Sequence, residues 1–215
     1  RARMVHFHPI CFPELPTHSG LQAPNYESLL QWGGLPSILT SLESGDPSEP
    51  RADLEAYLDL YLKEEIQAEA VTRSIGDFSR FLQTAALTNG EQVIFSSVAN
   101  DAQLKARTVQ GYYQILEDTL VGRLLPAYTK TKKRKAMTSA KFYFFDVGVA
   151  HALLGRWSIQ RGTPEYGRAL EHRVFCELSA AIDYGHRDAQ LSYWRSLSQL
   201  EVDFVIEKGD GKSVG

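Results

Sequence analysis

The sequence predicts an α+β fold, on three observations taken along the chain. Apolar residues recur at a spacing of three and four between residues 53 and 120, as in amphipathic helices. Two apolar runs, residues 120–128 and 141–146, have the length and composition of strands. A further helical stretch, residues 166–182, precedes two strand-like segments joined by a polar turn at residues 196–200. Helices and antiparallel strands in separate blocks are typical of the α+β class.

The composition is that of an ordinary globular protein, with room for one large or two small domains. The chain has 215 residues, 43% of them hydrophobic, and a formal net charge of -3, which argues against nucleic-acid binding over the whole surface. Its two cysteines, Cys11 and Cys176, are too few for a disulfide framework and indicate a reducing compartment, by default the cytoplasm. No apolar run reaches the length of about 18 residues that a membrane span requires, so none is predicted.

Both ends of the sequence point to a longer protein. The first residue is Arg1 rather than Met, and Ser213-Val214 has the character of a strand that Gly215 cuts short. We therefore interpret the sequence as an internal piece, in which the absence of a targeting segment carries no information.

Residues 1–70 are predicted to form a lid and a helical linker. Proline and glycine interrupt short apolar runs here, with a tight turn at residues 32–36 and an exposed loop at residues 44–50. An amphipathic helix is indicated from Asp53 onward. Its apolar positions are Leu54, Tyr57, Leu58, Tyr61, Leu62 and Ile66.

Three helices are predicted next. The first carries apolar residues at helical spacing from Phe78 to Ala85 and ends at Asn89-Gly90, a pair suited to a left-handed C-terminal cap. A short second helix begins near Ser96, a good N-cap, and a brief connection at residues 103–105 leads to a longer third helix. The residues expected on the buried face of the third helix are Val109, Tyr112, Leu116 and Leu120. Helix, short turn and helix form the helix-turn-helix plan, whose second helix can enter a DNA major groove.

A hairpin with a basic tip is expected to follow these helices. Five of the six residues from Lys130 to Lys135 are basic and lie between the two apolar runs. Three helices followed by such a hairpin make the winged-helix arrangement, which we assign to residues 71–155. The residues predicted to contact nucleic acid are Arg107, Gln110, Gln114, Lys130, Lys132, Lys133, Arg134 and Lys135.

The same region has a second interpretation. Three small helices with a hairpin are also a common protein-docking module, and a run of lysine and arginine is also typical of a solvated loop. Lys105 is a poor N-cap for the third helix, and the outward face of that helix is only moderately basic. The sequence leaves DNA binding and protein docking open.

Two acidic residues are candidate catalytic groups in residues 156–215. Glu171 shares a helix face with Val174 and Leu178, so its carboxylate is expected on the core side. Asp203 stands among β-branched and aromatic residues of a strand, where an unpaired buried carboxylate is costly. One inward acid on a helix and one on a strand resemble the first half of a metal-dependent nuclease site.

Both acids also have a structural interpretation. In it, Asp203 pairs with Arg195 across the hairpin, and Glu171 pairs with Arg168 or Arg173 on its own helix. The residues alone leave the catalytic and the structural interpretations open.

Several sequence blocks, taken in order, resemble one known family. They are Gly33-Gly-Leu-Pro36, Tyr61-Leu-Lys-Glu-Glu-Ile66, Phe78-Ser-Arg-Phe-Leu82, Lys141-Phe-Tyr-Phe-Phe-Asp-Val-Gly148, Tyr193-Trp-Arg195 and Glu201-Val-Asp-Phe204, with Glu171 in its helix. The family is the C-terminal region of prokaryotic AAA-type ATPases, a domain of unknown function that follows the ATPase core. The resemblance covers most of the chain.

The resemblance implies the DNA-engaging half of an ATPase, with the ATP site in a core ahead of Arg1; no phosphate-binding loop occurs in this sequence. Its last portion is similar to a restriction-endonuclease-like fold, in which Glu171 and Asp203 match the helix Glu and the strand Asp around Mg²⁺. The Glu-x-Lys strand of such a site would follow Gly215. Glu207-Lys208 does not replace it, because adjacent strand residues face opposite ways. We therefore expect residues 156–215 to form a truncated, inactive nuclease-like domain.

Overall fold

The computed structural model describes residues 6–15, 25–62, 75–130, 137–185, 188–209 and 212–215. Within these ranges the chain forms eight α-helices and two small antiparallel sheets, which confirms the α+β class. The helices are α1 (Tyr26–Trp32), α2 (Pro36–Leu42), α3 (Ser48–Ala56), α4 (Ile75–Leu87), α5 (Phe95–Asp101), α6 (Ala106–Asp118), α7 (Val147–Leu153) and α8 (Pro164–Tyr184). The strands are β1 (Gly122–Leu125), β2 (Lys141–Phe144), β3 (Ala189–Arg195), β4 (Glu201–Lys208) and β5 (Ser213–Val214). None of the described helices has both the length and the apolar character needed to cross a bilayer.

A glycine turn joins α1 to α2, as predicted for residues 32–36. Gly33 lies in the left-handed region, with a φ of 82°, which favours glycine. A Cβ on Gly34 would lie 2.5 Å from the carbonyl oxygen of Ile10, so the N-terminal segment packs directly on the turn. The turn therefore depends on both glycines.

The third helix begins earlier than the sequence predicted. α3 starts at Ser48 rather than Asp53, because Pro50 lies in its first turn, where a missing N–H is tolerated. The exposed loop before it is correspondingly shorter. After Ala56 the chain continues as a π-helical segment, Tyr57–Leu62. Ile66, the last predicted buried position, lies outside the described residues.

The helices α4, α5 and α6 and the β1–β2 hairpin share one hydrophobic core. Its fully or almost fully buried members include Phe81, Ala85, Val109, Tyr113, Leu116, Phe142 and Phe144. The aromatic run of β2 is therefore a buried strand, as expected. Strands β1 and β2 are antiparallel, with Gly122 opposite Phe144 and Leu125 opposite Lys141.

Two details of this unit differ from the prediction. α5 has Ile94 at its N-cap rather than Ser96, directly after Val93, whose N–H donates to Ala140 O at 2.8 Å just before β2. Leu120 was expected on the buried face of α6, but its side chain is 59% exposed. α6 ends at Asp118, and Leu120 has a φ of 59°, so it no longer follows the helical face.

The last portion consists of α8 and the three-stranded sheet β3-β4-β5. α8 begins after the N-cap Thr163, whose hydroxyl accepts a bond from Tyr166 N–H, and is longer than the predicted stretch of residues 166–182. β3 and β4 form the predicted antiparallel hairpin, with an irregular register between Ser192 and Trp194. The boundaries at residues 70 and 155 stay predictions.

The two sheets are joined through the chain that follows β1. Ala127 forms a parallel bridge with Tyr193 of β3. Tyr193 N–H donates to Pro126 O at 3.1 Å, and Tyr128 N–H donates to Tyr193 O at 2.6 Å. This backbone connection places β2 and β4 on either side of one cleft.

Candidate functional site

A polar cleft of about 480 Å³ lies where α8, β2, β3 and β4 meet the turn after α4. Its charged lining includes Lys141, Arg168, Glu171, Arg195, Glu201 and Asp203. The two acids singled out from the sequence therefore line the same cleft, although they are separated along the chain. A lysine and a second strand acid, neither of which the sequence interpretation had selected, accompany them.

Lys141 is the most deeply buried charge in this lining, with a side chain only 4% exposed. Its Nζ donates to Glu171 Oε1 at 2.8 Å and lies 2.7 Å from Glu201 Oε1. The ammonium also lies 5.3 Å from the centre of the Tyr193 ring, within cation–π range. Burial by itself lowers the pKa of Lys141, but its hydrogen bonds to Glu171 and Glu201 outweigh burial and raise it, so the side chain is charged.

Glu171 projects from α8 toward the same face of β2. Lys141 and Tyr143 stand two residues apart on β2, so their side chains point to the same face. Both donate to Glu171 Oε1, Tyr143 through its hydroxyl at 2.6 Å. Burial and the Glu171 charge raise the pKa of Tyr143, which keeps the phenol protonated as a donor. The Glu171 side chain is 27% exposed, so it faces the cleft rather than the core interior.

Asp203 and Glu201 stand two residues apart on β4 and point to the same face. Asp203 was predicted to be enclosed by apolar neighbours, but it is exposed, because strand alternation turns it into the open cleft. Partial burial and the negative charges of Glu171 and Glu201 raise the pKa of Asp203 against the lowering effect of Lys141. Within the described residues, Asp203 makes no hydrogen bond or ion pair.

The structural interpretation of the two acids predicted ion pairs of Asp203 and Glu171 with arginines, and these pairs are wrong. Arg195 lies against Glu201, with Nε 3.5 Å from Oε2, not against Asp203. That distance marks an ion pair without hydrogen-bond geometry, and Arg195 Nε has no hydrogen-bond partner in the described structure. Neither arginine of α8 pairs with Glu171. Arg173 binds Glu177, and Arg168 lies 3.8 Å from Glu91.

Carboxylates alone do not make a metal centre in this cleft. Among the described residues, no group of three or more His, Cys, Asp or Glu side chains is arranged to hold a metal ion. The ammonium of Lys141 lies between Glu171 and Glu201 and binds an oxygen of each.

The back wall of the cleft is held by a buried histidine. His172 lies next to Glu171 on α8, and its Nε2 is 2.6 Å from Phe144 O. Because Nε2 faces a carbonyl, we assign the ring proton there, which leaves Nδ1 to accept from the Asn89 amide at 3.1 Å. Burial lowers the pKa of His172 to about 3, so the ring is neutral. Asn89 also accepts from Phe144 N–H at 2.9 Å, which fixes the turn after α4 to β2.

Asp146 belongs to the structure rather than to the cleft. Its carboxylate caps α7 by accepting from Val149 N–H at 3.1 Å, a role that an Asp directly before a helix commonly has. The same side chain accepts from Gly34 N–H at 2.8 Å. Burial raises the pKa of Asp146, although these backbone donors act in the opposite direction.

The candidate nucleic-acid residues of α6 lie on one exposed face. Arg107, Gln110 and Gln114 are all exposed, at a spacing of three and four residues. The Gln114 amide donates to Asp118 Oδ1 at 2.9 Å, whereas no such bond engages Gln110 within the described structure.

The basic tip is described only at its first residue. Lys130 has a side chain 67% exposed and forms an ion pair with Glu207 of β4. Lys132, Lys133, Arg134 and Lys135 lie outside the described residues. The tip is thus attached at its base to the sheet that carries Asp203.

Comparisons with known proteins divide the chain into two matched regions. Residues 23–159 match the family described as "Domain of unknown function (DUF8612)", and residues 166–214 match "Domain of unknown function (DUF4143)". The first region ends after α7 and the second begins in the first turn of α8. The first region therefore supplies Lys141 to the cleft, and the second supplies Glu171, Glu201 and Asp203.

Curated relatives come from two mycobacteria. The chain is 26% identical over 178 residues to "Uncharacterized protein Mb2031c" of Mycobacterium bovis and, equally, to "Uncharacterized protein Rv2008c" of Mycobacterium tuberculosis. The alignment covers 81% of this chain but 38% of each relative, so the chain spans well under half of their length. No solved structure gives a significant match.

Proposed function

The chain belongs to the family described as "Domain of unknown function (DUF8612)", and we propose that it is the DNA-engaging C-terminal region of a cytoplasmic AAA-type ATPase. Support for DNA engagement comes above all from the exposed face of α6. That helix is the third of a helix–helix–helix–hairpin series, the order of a winged helix, in which the third helix faces the major groove.

The chemistry of the α6 face suits a duplex. Arg107 supplies a guanidinium for a phosphate, and Gln110 offers an amide that can read a base edge. Gln114 is partly engaged by Asp118, which orients it. The basic run from Lys130 to Lys135 would add phosphate contacts.

The cleft is the nuclease-like part of the proposal. A helix carboxylate, Glu171, and a strand carboxylate, Asp203, line one cleft, which is the arrangement a metal-dependent nuclease begins from. The Glu-x-Lys strand that would complete such a site stays a prediction for a longer chain.

Mg²⁺ does not fit the cleft as these residues arrange it. Carboxylate oxygens are the ligands that Mg²⁺ prefers, at about 2.1 Å. An ion on the oxygens that bind Lys141 would lie within about 5 Å of its ammonium, where a 2+ and a 1+ charge repel by about 7 kcal/mol at an effective dielectric constant of about 20. Metal-dependent cleavage would thus require Lys141 to move, and we derive no catalytic step through a metal.

The ATPase part of the proposal concerns a longer protein. It rests on the family resemblance, and the curated relatives, of which this chain spans 38%, are longer than the matched stretch. ATP would bind in that additional length, and nucleotide state would reposition the α4–α6 unit and the cleft on DNA.

One observation favours a second function, a protein-docking or regulatory module without nucleic-acid contact. Lys141 and Arg195 are both paired with Glu201, and Lys141 with Glu171, as in a structural ion-pair network. In this alternative the cleft does no chemistry, and its ion pairs hold the two sheets together.

Binding of the 215-residue chain to a labelled DNA duplex across a salt series tests the proposal. The variants are Arg107→Glu on α6 and the triple change Lys132→Glu, Lys133→Glu and Arg134→Glu in the basic run. Arg161→Glu is the control, because Arg161 is 78% exposed, carries the same charge and lies outside both surfaces.

We expect the affinity of the unaltered chain to fall by about 0.9 log unit per log unit of salt for each phosphate contacted. Both test variants should bind much more weakly, and Arg161→Glu should bind normally. Absence of binding at low salt would favour the docking function. Equal loss in Arg161→Glu would show that net charge, rather than these two surfaces, determines binding.

A further inference from the structure

The ammonium of Lys141 is the meeting point of two carboxylates that come from separate elements. Glu171 projects from α8 and Glu201 from β4, and each places its Oε1 within 2.8 Å of Nζ. The distance between the two oxygens is therefore at most the sum of these two contact distances. Oxygen ligands from a helix and a strand around one point are how proteins hold a divalent cation.

Lys141 is held in this position from several sides. Its strand pairs with β1, and its backbone forms a bridge with Gln92 of the turn that lines the cleft. The Tyr193 ring lies 5.3 Å from Nζ. Tyr143, two residues along β2, donates to the same Glu171 oxygen and fixes that carboxylate toward the lysine. With 4% of its side chain exposed, Lys141 has little room for another rotamer.

The remaining charges of the cleft agree with a site that already holds a cation. Arg195 approaches the second oxygen of Glu201 at 3.5 Å, so each of the two Glu201 oxygens faces a positive group. Asp203 is the carboxylate of this lining that makes no ion pair within the described structure.

We propose that Lys141 is the resident cation of this cleft: its ammonium occupies the position between Glu171 and Glu201 and excludes divalent metal ions while it is there. A lysine supplied by the first matched region thus controls metal access to carboxylates supplied by the second. The inference rests on contacts within the cleft and does not require that the chain binds DNA.

Titration of the 215-residue chain with Mn²⁺ tests this inference. Free Mn²⁺ is measured by electron paramagnetic resonance, without nucleic acid present. The test variant is Lys141→Gln, which removes the charge and keeps a polar side chain. Lys130→Gln is the matched control, because Lys130 also pairs with a glutamate, Glu207, but lies on the surface.

We expect the unaltered chain and Lys130→Gln to bind Mn²⁺ weakly and equally. Lys141→Gln should gain one saturable site with an affinity at least tenfold higher. Adding Glu171→Gln to Lys141→Gln should abolish that site, which locates it in the cleft. A folded Lys141→Gln chain without the gain overturns the inference, with folding checked by circular dichroism.

A second measurement decides the matter if Lys141→Gln does not fold. Mn²⁺ is then titrated into the unaltered chain and into Glu171→Gln and Glu201→Gln. Saturable binding by the unaltered chain that either substitution removes would overturn the inference, because the cleft would then admit metal with Lys141 in place. Absence of such binding supports it. DNA affinity is measured separately, so failure of the metal test leaves the DNA proposal untouched.

Discussion

Gly34 and Asp146 are 112 positions apart in the chain, yet the Gly34 backbone N–H donates to Asp146 Oδ2 at 2.8 Å. The same carboxylate caps α7, so one buried side chain ties the α1–α2 turn to the helix that follows β2. Two blocks of the family resemblance, Gly33-Gly-Leu-Pro36 and the run ending in Asp146-Val-Gly148, therefore meet in space. Gly34 and Asp146 themselves lie outside the lining of the charged cleft, whereas Lys141, at the head of the second block, belongs to it.

Replacing Gly34 by alanine should destabilise the fold by about 1 to 3 kcal/mol. The added Cβ would lie 2.5 Å from Ile10 O and must push the N-terminal segment away from the turn. The measurement is the urea unfolding midpoint. Gly111→Ala on α6 is the control, because a Cβ there meets open space within a helix. It should stabilise by about 0.5 to 1 kcal/mol, and equal effects of both substitutions would contradict the steric explanation.

The free energy of unfolding should fall as the pH drops below 6.5, the ordinary pKa of histidine. The unfolded chain takes up a proton at His172 in this range, whereas the folded chain resists protonation until about pH 3. Between pH 6.5 and about pH 3, His172 lowers the free energy of unfolding by up to about 1.4 kcal/mol for each pH unit of acidification. Above pH 6.5 it has no such effect.

The contribution of His172 can be isolated by comparing slopes. His172→Gln keeps a polar side chain but cannot take up the proton, so its unfolding free energy should depend less steeply on pH between 7 and 5. His151, whose pKa burial also lowers, remains in the variant and accounts for a residual slope. Identical slopes for the two proteins would show that His172 is not neutral in the folded state.

Lys141→Met should destabilise the chain by about 2 to 3 kcal/mol, since it leaves Glu171 and Glu201 without their shared counter-charge. The estimate lies below that for a fully buried pair, because both carboxylates are about a quarter exposed. Lys130→Met removes an exposed ion pair, which solvent screens, and should destabilise the chain much less than Lys141→Met. Thermal unfolding of both variants measures the difference, and equal costs would mean that burial of Lys141 adds nothing.

Two residues of α6 should affect DNA binding in different ways, Arg107 through its charge and Gln110 through recognition of the DNA sequence. Arg107→Ala should lower the salt dependence of DNA binding by about 0.9, the contribution of one phosphate contact. Gln110→Ala should leave the salt dependence unchanged and reduce discrimination among DNA sequences by about 1 to 3 kcal/mol. Fluorescence anisotropy with a panel of duplexes at several salt concentrations measures both quantities. If Arg107→Ala changed sequence discrimination and Gln110→Ala changed the salt dependence, the proposed placement of α6 on DNA would be contradicted.

Much of the fold followed from local patterns. The face of α6 that carries Val109, Tyr112 and Leu116 and the hairpin of β3 and β4 were predictable because each depends on spacing within one segment. Leu120 was misplaced for the same reason, since helical spacing does not reveal where a helix ends. The start of α3 is not predictable from the same pattern, because a proline in the first turn of a helix also indicates a loop.

The candidate site was predictable only in part. Glu171 and Asp203 stood out because a carboxylate among apolar residues is unusual, and the structure brings both to one cleft. Their partners were not predictable, because an ion pair between β2 and α8 leaves no local spacing in the sequence. One signal was available for Lys141: a lysine at the head of a fully apolar strand needs a buried counter-charge.

The segment from His8 to Phe12 is bound to α8 by three contacts. His8 Nε2 lies 2.7 Å from Asp183, Arg173 donates to Ile10 O at 2.8 Å, and Phe12 N–H donates to Glu177 at 2.9 Å. One N-terminal segment therefore reaches three side chains of the helix that also carries Glu171. The helix that anchors this segment is thus the same helix that presents Glu171 to Lys141.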